Sequence, residues 1–242
     1  MANDRLVTGG VDCDVHPTTP TVRQLLPYFD DYWREQIVNR GLDRNDFSLT
    51  SFPASAPLFC RPDWRPAAGP PGADAATLAR EALDPFGASL AICNVLHGCQ
   101  TLYTEDMSLV FCRAINDWVA REWLDRDARL RASIVIPIQN PDMAAEEIER
   151  VAANTRFVQV LVLVMGDMPL GRRAYWPIYK AAERLGLPIG IHAGSTFRHA
   201  PTPMGFPSFH LKDYVSQAQA FDSQLLSLIT GSVTLVPWLN WL

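Results

Sequence analysis

Val11-Asp12-Cys13-Asp14-Val15-His16-Pro17 is a short, partly β-branched run that Pro17 stops at once. Alternate residues of a strand share a face, so Asp14 and His16 project the same way. They lie about 6.6 Å apart along the chain, at the strand's C-terminal end. Taken alone, the pair reads equally well as a strand-end carboxylate beside a hydrogen-bonded core histidine. A second strand far along the chain, Leu187-Pro-Ile-Gly-Ile-His-Ala-Gly-Ser195, again ends in a histidine, His192. With it the balance moves to metal ligation, because one carboxylate and two imidazoles are a common ligand set for a divalent ion. Zn²⁺ fits this donor set best, with Mn²⁺ or Fe²⁺ as alternatives.

Between these two strands the pattern alternates. Thr21–Phe29 and Asp30–Val38 carry helical spacing, and Asp74–Leu83 reads as a helix. Ser89–Leu96 reads as a strand, Glu105–Arg126 as a long helix, and Leu130–Pro137 as a strand. Asp142–Asn154 is a helix opened by Asn140-Pro141, Phe157–Met165 a strand, and Ala174–Leu185 a helix with Gly186 at its C-cap. The strands are continuously apolar, which predicts a parallel sheet covered by helices on both faces. A (β/α)₈ barrel and an open doubly wound sheet both satisfy that order. The barrel is favoured because His16, His97 and His192 all fall at C-terminal strand ends. No Gly-x-Gly-x-x-Gly or Walker-type loop follows any strand.

Residues 39–73 interrupt the pattern with Pro53, Pro57, Pro62, Pro66, Pro70 and Pro71 among Phe47, Phe52, Phe59 and Trp64. So much Pro excludes a regular element, while the aromatics argue against a free linker. The segment reads as an insertion packed over the mouth of the site, within a single domain spanning 1–242.

The 242 residues carry a net charge of −5, with Lys180 and Lys212 as the only lysines. Neither nucleic acid nor a membrane surface is an expected partner. Cys13, Cys60, Cys93, Cys99 and Cys112 lack a Cys-x-x-Cys pair and read as reduced, mostly buried thiols. Met1-Ala-Asn-Asp-Arg-Leu6 carries no apolar signal region, so a cytoplasmic protein is expected.

With both motifs in hand, the sequence resembles the amidohydrolase-related family of metal-dependent hydrolases and decarboxylases. The likeness rests on Val11–Pro17, on Tyr175-Trp-Pro-Ile-Tyr179 and on Leu187–Gly194. The resemblance implies a distorted (β/α)₈ barrel, a single divalent ion held by Asp14, His16 and His192, and a small, carboxylic, ester or amide substrate, with the aromatic insertion fitting an aromatic acid. It also implies a catalytic histidine after strand six and an aspartate at strand eight. The stretch Gly231–Leu242 contains neither Asp nor His. The expectation is therefore a C-terminally incomplete barrel of about five to six βα units with no assigned acid/base residue.

Other polar residues are weighed against ordinary structural roles. His97, in Asn94-Val-Leu-His-Gly-Cys99, is a candidate substrate contact or a histidine that tidies a strand end. Arg172, beside Arg173, could clamp a substrate carboxylate, although an Arg in such a turn commonly pairs with a neighbour such as Asp167. His210 is preferred over His199 as a further substrate contact because it opens a helical run. Trp118, Trp123, Tyr175, Tyr179, Met165 and Met168 read as packing. A rival reading is a non-catalytic, truncated barrel that self-associates through its open edge. Another is a metal-free open sheet, which predicts Asp14 and His192 far apart.

Overall fold

The computed structural model describes residues 9–44, 69–164, 168–192 and 210–233. Five strands make one parallel sheet: β1 (Val11–Val15), β2 (Leu90–Cys93), β3 (Leu130–Val135), β4 (Phe157–Leu163) and β5 (Ile189–His192). The helices are α1 (Val22–Leu25), α2 (Asp31–Asn39), α3 (Ala75–Leu78), α4 (Asp84–Phe86), α5 (Glu105–Glu122), α6 (Pro141–Val151), α7 (Trp176–Leu185) and α8 (His210–Val233). Most of the expected insertion, and everything after Val233, lies outside the described residues. Among the described residues no helix is long and apolar enough to cross a membrane.

Helix starts follow local chemistry. Thr21 and Gln24 form a capping box at α1, and the Asp30 side chain accepts from Trp33 N–H at α2. Asn140 caps α6 with Pro141 in the first turn, and Gly186 closes α7 in the left-handed conformation, φ 67°. The expected helix Asp74–Leu83 is broken differently. Its second half, Ala79–Leu83, widens into a π turn that leads into α4. Pro85 has no N–H to continue the ladder there.

Strand order is consecutive, β1-β2-β3-β4-β5. Right-handed crossovers between neighbours taken in sequence place the connecting helices on one face. Accordingly α1 packs on α5, α5 on α6, and α6 on α7. This corrects the expectation of helices on both faces: a doubly wound sheet needs a reversal of strand order, and this sheet has none. The other face curls on itself, giving a partial (β/α) barrel.

The core lies between β2 to β4 and the helices, with Ile115, Leu130, Ile134, Leu161 and Ile178 at 1% exposure or less. Each such side chain contributes about 2 kcal/mol through burial. Trp123 and Tyr175 are fully buried, as their packing assignment requires, and Tyr179 OH donates to Leu170 O at 2.6 Å. Cys93, Cys99 and Cys112 are buried, and Cys13 is exposed on β1, an edge strand among the described residues. Cys60 lies outside the described residues.

β1 carries the irregularity that matters for the site. Asp12 pairs with Ala91 and Val15 with Cys93, so three steps on β1 face two on β2. This bulge at Cys13–Asp14 re-aims the side chains at the strand's end.

Candidate metal centre

Asp14 and His192 stand at the ends of the two outermost strands. A flat five-stranded sheet would hold them about 19 Å apart, four strand spacings. Curling instead brings Asp14 Oδ1 to 3.1 Å from His192 Nε2 and 3.3 Å from His16 Nε2. One donor atom from each of the three residues lies within 4.8 Å of the others, and the two imidazoles meet edge to face with centroids 4.9 Å apart. The open-sheet reading required a wide separation here and is overturned.

The chemistry of these donors fits a cation. His16 Nδ1 lies 3.3 Å from the Asn94 carbonyl oxygen, a contact that requires Nδ1 to carry the proton. His16 Nε2 then faces the Asp14 carboxylate. Two acceptors facing each other need a positive charge between them, either a proton or a metal ion. Metal–ligand bonds of about 2.1 Å place adjacent ligands about 3.0 Å apart in an octahedron and about 3.4 Å apart in a tetrahedron. The two Asp14 distances, 3.1 and 3.3 Å, fall in this range, and all three donors lie within 4.8 Å of one another. Hydrogen bonds from His16 and then His192 hold the Asp14 carboxyl well below the usual carboxylate range, against partial burial that raises it. The Asp14 side chain is 60% exposed and His192 18%.

The surroundings are built from residues that sequence reasoning missed. Asn94, just beyond β2, donates through Nδ2 to Asp14 Oδ1 at 2.9 Å and to Cys13 O at 3.2 Å, the backbone carbonyl in the bulge. Ser133 on β3 and Gln159 on β4 stand behind it. Gln159 alone left a signal in the sequence, as the one polar residue of an otherwise apolar β4. Gly72, at the described end of the insertion, sits against His16: a Cβ there would lie 2.5 Å from His16 O. Thr18 fastens this turn, donating from N–H to Gly72 O and from Oγ1 to Pro71 O.

The remaining candidates lie elsewhere. His97 is 1% exposed. Its Nδ1 accepts from Cys99 N–H at 3.1 Å and its ring stacks on Phe111, the strand-end role weighed against substrate contact. Arg172 is exposed at the turn before α7, and its N–H donates to Pro169 O. Among the described residues no hydrogen bond joins it to Asp14, His16 or His192. His210 opens α8 as expected, but its side chain, like His199 and Asp167, lies outside the described residues. Helix α8 docks at the end of β4, where Gln224 donates to Val164 O and accepts from Leu170 N–H.

A curled parallel sheet with an Asp-His-His cluster at its C-terminal strand ends is a partial (β/α) barrel with a candidate metal site where such barrels carry their chemistry. The amidohydrolase family model matches residues 11–219, and the chain belongs to that family. A γ-resorcylate decarboxylase of Rhodococcus jostii is 31% identical over 103 residues, covering 38% of this chain and 31% of that protein. Its counterpart from Polaromonas sp. is 30% identical over 87 residues, covering 33% and 27%. The matched stretches thus span under a third of these relatives' length. Among solved structures, the 2,6-dihydroxybenzoate decarboxylase from Rhizobium superposes with a TM-score of 0.56 at 20% identity, covering 93% of this chain and 62% of that one. A dihydroxybenzoic acid decarboxylase from Polaromonas sp., with bound manganese and the inhibitor 2-nitroresorcinol, gives 0.58 at 17% identity, covering 92% and 60%. These likenesses show the shared fold.

Proposed function

We propose that this protein is a decarboxylase of hydroxylated aromatic acids that works with one divalent ion held by Asp14, His16 and His192. The observation that carries the reading is the gathering of these three donors, from opposite edges of the sheet, within 4.8 Å. The decarboxylases named above give it a substrate class. Manganese, present in the Polaromonas structure, is the first ion to try, ahead of the zinc that the donor set alone favours.

When bound, the ion supplies Lewis acidity toward substrate oxygens. The chain's own residues set the frame. Asp14 contributes the negative charge that draws the cation in, and His16, with its Nδ1 proton engaged by the Asn94 carbonyl, offers Nε2. His192 is the least exposed of the three and Asp14 the most.

The test is direct. Purified protein is loaded with Mn²⁺, given 2,6-dihydroxybenzoate, and followed for carbon dioxide release and loss of the acid, with aryl esters and amides in parallel. Metal-dependent decarboxylation supports the reading. Hydrolysis of the esters or amides without decarboxylation replaces it with the hydrolase alternative, and the absence of Mn²⁺ binding overturns the site itself.

A further inference from the structure

We propose that Asn94, Ser133 and Gln159 are positioning residues that fix the metal site, an inference that rests on the metal reading above. Together with Asp14 and Gly190 they place one residue on or beside each of the five strands, a polar rung across the concave face. Asn94 is 3% exposed and Ser133 is fully buried, so their polar atoms need partners.

The hydrogen bonds run in one direction. Gln159 Nε2 donates to Ser133 Oγ at 2.7 Å and to Asn94 Oδ1 at 3.2 Å. Ser133 Oγ donates to Asn94 Oδ1 at 2.5 Å. With two donors on its oxygen, Asn94 has a single workable amide orientation. Its Nδ2 must face Asp14 Oδ1 and the Cys13 carbonyl, where it donates at 2.9 and 3.2 Å. A flipped amide would set oxygen against a carboxylate and a carbonyl, and NH₂ against two donors, losing every contact at once. The relay therefore ends on the very oxygen that faces both histidines. The same residue's backbone carbonyl meets His16 Nδ1, so Asn94 orients two of the three proposed ligands. Gly190 completes the rung by leaving space: a Cβ there would come within 3.1 Å of the Gln159 side chain.

The experiment measures Mn²⁺ affinity, from the electron paramagnetic resonance of free Mn²⁺, in wild type and in the variants N94A, S133A, Q159E and N94A/S133A. Each is also melted without metal to establish that it is folded at the assay temperature. Asn94→Ala is expected to weaken binding by about 10–100-fold. Ser133→Ala and the isosteric Gln159→Glu, which removes the donor, are expected to weaken it by about 3–10-fold. Because Ser133 acts through Asn94, the double variant should bind no more weakly than N94A. If N94A does not fold, S133A and Q159E carry the test. Affinities of S133A and Q159E within twofold of wild type overturn the relay and leave the metal site standing, as does a double variant whose losses multiply. A wild-type chain that binds no Mn²⁺ overturns both.

Discussion

Asp14 Oδ1 and His192 Nε2 lie 3.1 Å apart although 178 residues separate them in sequence and three strands separate β1 from β5 in the sheet. Only curvature reconciles the two facts. The pair is a direct measure of how far the sheet has curled, and a metal ion between them would hold that curl closed.

The first prediction follows. A ligand that binds only the folded chain stabilises it by about 2.7 kcal/mol at a hundred times its Kd. Mn²⁺ should raise the melting temperature of wild type accordingly, and EDTA should reverse the rise. His192→Ala should weaken binding by more than about 100-fold, since losing even an outer partner of a ligand costs about 10–100-fold. Equal stabilisation of the variant and wild type would remove His192 from the ligand set.

Gly72 and Gly186 form a controlled comparison. Both have left-handed backbones, φ 68° and 67°, but only Gly72 faces an obstacle, His16 O at 2.5 Å. Gly186→Ala should cost about 1 kcal/mol, the left-handed penalty. Gly72→Ala should cost about 1–3 kcal/mol and also weaken Mn²⁺ binding by displacing His16. Chemical denaturation and metal titration of the two variants give the answer, and identical behaviour would mean that the turn does not support the site.

Glu147 is fully buried and accepts from Asn116 Nδ2 at 2.7 Å and from Arg150 Nε and Nη2, both at 2.8 Å. Asn116 in turn clamps the end of β3 by pairing with both backbone groups of Val135. Glu147→Ala leaves these donors without their acceptor and should cost about 3–5 kcal/mol in urea denaturation. A loss below about 1 kcal/mol would show that water replaces the carboxylate.

Tyr28 OH donates to Glu122 at 2.8 Å, tying the turn after α1 to α5. Burial, with help from Glu122, pushes the phenol up from 10.0 to about 12. Its stabilising contribution is complete below pH 10 and is lost as pH rises toward 12. The hydrogen bond from Tyr28 lowers the Glu122 carboxyl below its ordinary 4.5, so that contribution is present above pH 4.5 and is lost as pH falls through the lowered value. The stability difference between wild type and Tyr28→Phe should therefore be widest between these limits and shrink at both ends. A difference constant from pH 4 to 11 would refute the coupling.

The sequence made the βαβ order, the helix caps at Asn140 and Gly186, and the Asp14/His16/His192 set legible, because each rests on local spacing or a strand terminus. The polar rung was not legible. Asn94, Ser133 and Gln159 lie on or beside separate strands, and their alignment depends on inter-strand register, which a run of apolar residues does not encode. Strand order was hidden for a similar reason: continuous apolarity announces a buried parallel strand without naming its neighbours, so one-sided and two-sided helix layers look alike.

Consecutive strand order also sets a schedule for folding. Each βα unit from β2 onward can dock on the one before it across a short stretch of chain, as with Val160 and Ile189, whereas β1 must reach β2 across the long stretch between Val11 and Leu90. The Asp14–His192 contact spans farther still, 178 positions, and only an assembled sheet brings the two residues together. The centre therefore forms last, and metal uptake during refolding should lag behind the recovery of secondary structure, timing the moment at which the curl is complete.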